Sequence, residues 1–168
     1  KSKEQIAQLF AEKLGTDPLL TPEQLTLVAR DVLREKYRQA EVGVTGANFI
    51  IADIGGIAIT ENEGNGRLSC SMPRTHIVIV GIEKIIPSIT DLALFWPLLA
   101  TFGTGQRITS YNTIVTGPRQ PGEADGPDEM YVILLDNGRT NILANEKQRE
   151  SLYCIRCGAC LNACPVYK

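Results

Sequence analysis

Four of the five cysteines fall within the last fifteen residues, in the run CIRCGACLNACPVYK. Cys154, Cys157, Cys160 and Cys164 follow the pattern C-x2-C-x2-C-x3-C, with Pro165 directly after. An iron–sulfur cluster needs thiolates that converge on a compact cube, and two-residue gaps let a turning backbone aim successive sulfurs inward. Gly158 permits close wrapping, and Pro165 ends the loop by removing a backbone donor. A zinc site or oxidised thiols are the plain alternatives. Zinc sites, however, usually join two widely separated pairs or recruit histidine, and the single histidine, His76, lies far off in the chain. The spacing therefore points to a [4Fe–4S] cluster. In two-cluster ferredoxins the fourth cysteine of such a run serves the other cluster. Cys154, Cys157 and Cys160 then need a ligand that no second motif here supplies. The expectation is a truncated chain with its cluster absent or incomplete and its cysteine tail empty or disordered. Lys147, Arg149 and Arg156 flank the ligands and would offset a cluster's negative charge, unless they are ordinary solvated charges.

A second candidate is TENEGNGR, residues 60–67, a polar and glycine-rich turn placed at the end of an expected buried strand. Open α/β sheets bind ligands at such strand ends. Glu61, Asn62, Gly64, Gly66 and Arg67 are the candidate binding residues; the glycines would free backbone amides, while Arg67 and Arg74 would clamp a carboxylate or phosphate. A tight solvated turn is the competing reading. Neither GNGRLS nor GTGQRI completes G-x-G-x-x-G, so nucleotide binding by that route is weakly supported. Cys70 reads as a buried or idle thiol, His76 as filler in preference to a general base, Trp96 as core, and Asp136–Arg139 as a turn.

These residues need a frame to hold them. SKEQIAQLFAEKLG spaces Ile6, Leu9, Phe10 and Leu14 helically and stops at Gly15. Thr21, Pro22 and Gln24 form a helix start with a capping box, predicting a helix to about Gln39 with Leu25, Val28, Leu33 and Tyr37 buried. A short helix is expected after Thr45, then strands near 57–60, at 76–82, within 108–117 and at 130–136, with a helix over 88–103 that tolerates Pro97. HIVIVGI reads as a strand covered on both faces, and a short helix capped at Asn145 leads into the cysteines. The alternation predicts an α/β fold, a layered and largely parallel sheet with flanking helices. GPRQPGEADGPDE, residues 117–129, is a long loop of the kind that is functional or mobile.

Composition narrows the classes. Charged residues are 21% and the net charge is −2, with no long basic run, which argues against nucleic-acid binding. No apolar stretch reaches membrane-spanning length. Clustered cysteines point to a reducing compartment. The amphipathic start is unlike a secretory signal, and the missing initial Met suggests a piece of something longer.

GVTGANFIIADIGGIAITENEGNGR and TGPRQPGEADGPDEMYVILLDNGR, followed by CIRCGACLNACPVY, resemble the iron–sulfur lactate-utilisation protein B family. The resemblance implies residues 1–145 as the carboxy-terminal part of a lactate-utilisation (LUD) domain and 146–168 as a first, truncated cluster motif. The implied fold is similar to part of the sugar-phosphate isomerase, CoA transferase and formyltetrahydrofolate cyclo-ligase fold. The implied role is an electron-transfer subunit of a cytoplasmic system oxidising L-lactate to pyruvate, working with other subunits and with electron donor and acceptor proteins. The alternatives are an acyl- or CoA-transferring or small-molecule-binding domain using Glu61, or a scaffold without catalysis. Family I CoA transferases carry Ser-Glu-Asn-Gly, whereas here Thr60-Glu61-Asn62 is followed by Glu63, which puts transfer chemistry in doubt.

Overall fold

A computed structural model describes residues 2–167; Lys1 and Lys168, the outer limits of the two expected domains, lie outside the described residues. The chain forms two compact units, Lys1–Ala40 and Glu41–Lys168. The first is a pair of helices, α1 (Lys3–Leu14) and α2 (Pro22–Gln39). Both begin with a reciprocal capping box, Ser2 with Gln5 and Thr21 with Gln24, which satisfies backbone donors that a helix start leaves orphaned. Leu25 is buried as expected; Leu33 is exposed, because only a narrow stripe of α2 is covered.

Among the described residues the second unit contains seven strands: β1 (Val42–Thr45), β2 (Phe49–Ile51), β3 (Gly56–Glu61), β4 (Thr75–Gly81), β5 (Ile85–Ile86), β6 (Tyr111–Val115) and β7 (Glu129–Leu135). They form two sheets. One is wholly parallel, in the order β1-β4-β7, with Gly43 beside His76 and His76 beside Met130. The other runs β5-β2-β3-β6 and mixes antiparallel pairs with one parallel pair. This is an α/β fold with a parallel sheet and flanking helices, joined by a mixed sheet that periodicity did not separate from the first. The helix expected after Thr45 is absent: the segment enters β2 instead, whose β-branched Ile50 and Ile51 suit a pleated, covered surface.

The mixed sheet is the middle layer. From one face Phe49, Ile51 and Ala58 pack with Leu92, Phe95 and Trp96 of α4 (Leu92–Thr104), and the Phe49 and Phe95 rings stack at 4.9 Å. From the other, Ile57 and Ile59 meet Val78 and Val80 of the parallel sheet. Burial on both faces explains why β3 reads as an unbroken apolar run. β4 departs from the expectation of two covered faces. His76, Val78 and Val80 are buried, whereas Ile79 is 44% exposed, because among the described residues of this unit no layer covers the outer face of the parallel sheet. Pro97 sits inside α4 without ending it.

Candidate functional site

Glu61 ends β3, and the chain then turns through Gly64 into the short helix α3 (Asn65–Ser71). Gly64 holds φ +82°, a conformation that suits glycine. Both oxygens of the Glu61 carboxylate are engaged: Gly66 N–H donates to Oε2 and Arg67 N–H to Oε1, each at 2.6 Å. The glutamate thus caps α3 from within the chain, and a side chain at Gly66 would press into it, its Cβ only 3.1 Å from Oε2. Asn62 Oδ1 accepts from the backbone and hydroxyl of Ser110, tying the turn to the entrance of β6. Arg67 lies over the Tyr111 ring, 5.9 Å from its centroid. Arg74, expected beside Arg67, pairs with Asp128 instead, and Arg119 reaches the same carboxylate. Hydrogen bonding from Arg74, reinforced by Arg119, holds the Asp128 carboxyl below its ordinary range.

Arg67, Cys70 and Ser71 of α3, residues 112–115 of β6 and the loop that follows line an open cavity of about 650 Å³. The loop of residues 117–129 forms part of the cavity's wall and is braced both within itself and to α3. Arg119 N–H donates to Pro127 O, Gly126 N–H to Ser71 O, and Gln120 N–H to the Glu123 carboxylate. Cys70 is buried and donates to the Arg67 carbonyl, and burial pushes its thiol pKa up, as befits an inert thiol. His76 is fully buried, its Nε2 2.7 Å from Thr45 Oγ1 and its Nδ1 without a partner among the described residues. Burial pulls its pKa down, so the ring is a neutral core group. Arg139 forms an ion pair with Glu83.

The cysteine segment is built of defined turns. α5 (Arg139–Ala144) ends at Asn145, whose side chain accepts from Lys147 N–H, and a 3-10 turn, Arg149–Tyr153, leads to Cys154. Arg156 at φ 62° and Gly158 at φ 80° turn the chain back on itself before the short helix α6 (Ala159–Ala163). Ile155 packs against the core under α4, and Asn162 Nδ2 donates to Phe102 O at 3.1 Å. Cys154 and Cys160 are exposed, and Cys157 and Cys164 half-buried. Among the described residues no three His, Cys, Asp or Glu side chains converge on one point. The four free cysteines are donors of the soft thiol type that iron–sulfur clusters use, and they lie on a loop that turns through two left-handed residues. Lys84, which donates to the Cys154 carbonyl, was not found from the sequence; no local pattern links residues so far apart.

Fold and site together define a layered α/β domain that carries a braced cavity and a docked cysteine loop. The sequence pattern of the LUD domain family matches residues 1–135, and the chain belongs to that family. Over all 168 residues it is 49% identical to Lactate utilization protein B of Bacillus licheniformis and 47% identical to that of Bacillus subtilis. It is 44% identical to the Uncharacterized electron transport protein YkgF of Escherichia coli. In each case the chain spans 35% of the relative's length. A crystal structure of a DUF162 family protein from Deinococcus radiodurans aligns with TM-score 0.44 and 19% identity, covering 79% of this chain and 84% of that one. Among the described residues no helix is long and apolar enough to cross a membrane.

Proposed function

We propose that this chain belongs to an electron-transfer iron–sulfur subunit of a cytoplasmic system that oxidises L-lactate to pyruvate, acting with partner subunits and with electron donor and acceptor proteins. The observation that carries the reading is the C-x2-C-x2-C-x3-C-P spacing on a loop docked against α4. The names of the relatives, lactate utilisation for two of them and electron transport for the third, support it. When bound, a [4Fe–4S] cluster would take up and release single electrons. Cys154, Cys157 and Cys160 would supply thiolates to one cluster and Cys164 to another. Arg156, fixed in its left-handed turn, and Arg149 would set positive charge beside those thiolates. Of the turn residues, Arg67 faces the cavity and would orient an anionic small molecule. Glu61, Asn62, Gly64 and Gly66 would shape the frame around it.

The test is the full-length polypeptide purified without oxygen. The expected result is iron and sulfide in equal amounts, with a visible absorption that bleaches on reduction and an electron-paramagnetic signal from the reduced state. Stoichiometric zinc, or no metal, would overturn the reading.

A further inference from the structure

Lys84 closes a 3-10 turn, Ile82–Lys84, directly after β4. It is 8% exposed, and its ammonium donates to the backbone carbonyl of Cys154 at 2.7 Å, across 70 residues of sequence. A buried lysine ordinarily pairs with a carboxylate. The adjacent Glu83 carboxylate is taken by Arg139, and among the described residues Lys84 forms no ion pair. The ammonium is thus withdrawn from water, with the Cys154 carbonyl as its hydrogen-bond partner among the described residues, at the residue that opens the cysteine run. Around it the loop comes close to α4. A side chain at Gly103 would begin 3.7 Å from Cys157 O, and one at Gly158 would begin 3.7 Å from Phe102 O.

We propose that Lys84 is a positioning residue for the iron–sulfur site: it ties the first cysteine to the α/β body and sets a fixed positive charge against an anionic, thiolate-bound cluster. The proposal rests on the iron–sulfur reading above. It also accounts for an otherwise poorly compensated buried charge, which the negative cluster would offset.

Two variants of the full-length polypeptide separate anchoring from charge. Lys84→Met keeps the aliphatic stem and removes donor and charge; Lys84→Arg keeps both. In iron-free protein, amide exchange across 154–163 should run about tenfold faster in the Met variant, with β4 unchanged, and return to normal in the Arg variant. After anaerobic reconstitution the Met variant should be harder to reduce by about tenfold, roughly 59 mV for a one-electron couple, with the Arg variant near the parent. An unchanged or raised potential overturns the charge role, and unchanged exchange overturns the anchoring role. If the Met variant loses protection in β4 as well, Lys84→Gln takes its place: a lowered potential with normal β4 exchange supports the proposal, and an unchanged potential overturns it. A parent protein that takes up no iron sinks the iron–sulfur reading instead. The exchange arm then still decides whether Lys84 anchors the loop.

Discussion

Glu61 has the residue type of a nucleophile, yet its two oxygens are spent on the amides of Gly66 and Arg67. Replacing it by Gln exchanges one acceptor for an amide that cannot accept. Because charge-assisted caps are among the stronger hydrogen bonds, Glu61→Gln should destabilise the chain by about 1–2 kcal/mol in urea titrations. A neutral result would mean that the carboxylate is free to do something else. His76 makes a second residue-level prediction. Its folded pKa lies below the usual value of 6.5, so the unfolded chain binds more protons between the two values and stability rises with pH there. The contribution is complete above 6.5 and is lost as pH falls from 6.5 through the folded value. Denaturation midpoints measured across that window should fall towards acid, and His76→Gln should flatten the slope. A slope that survives the substitution would assign it to other groups. Both side chains were visible as chemistry-capable residues in the sequence, but their duties were not, since each depends on a partner that folding supplies.

At the scale of elements, β1 and α3 touch with nothing to spare. A Cβ on Gly43 would stand 1.9 Å from the Ser69 carbonyl oxygen and 2.9 Å from the Pro73 ring, so backbone would have to move. Gly43→Ala should therefore cost about 1–3 kcal/mol, as overpacking generally does, read as a lowered melting temperature. Stability equal to the parent would show that α3 can shift freely. Elements with local signals were legible: the capping box of α2 announced its start, with Pro22 suited to the first helical turn, and apolar spacing with a stop at Gly15 announced α1. The segment after Thr45 was not, because a three-residue strand exists only through its pairing with β3 and β5. The division into two sheets was hidden for the same reason: hydrogen bonds between distant strands leave no periodic trace in either one.

For the whole molecule, the iron–sulfur reading makes the four cysteines unequal. Cys154→Ser, Cys157→Ser and Cys160→Ser should each remove the same cluster's iron and spectrum, while Cys164→Ser should remove a different one; equal losses from all four would contradict that division. The layered body beneath them has a core cluster on each face of its mixed sheet, and the cysteine loop is fastened to it by Lys84, Ile155 and Asn162. What the sequence determined alone was chemistry carried by neighbours in the chain: the cysteine spacing, the helix caps and the apolar runs that become strands. Those signals survive because short-range geometry depends on adjacent residues. Only the tertiary structure decided that Glu61 caps α3, that Arg74 belongs to Asp128, that the 117–129 loop walls a cavity, and that Lys84 meets Cys154. Each is a contact between residues whose types were readable but whose meeting depends on how the sheets stack. Burial then fixes whether a charge is solvated or committed to a partner.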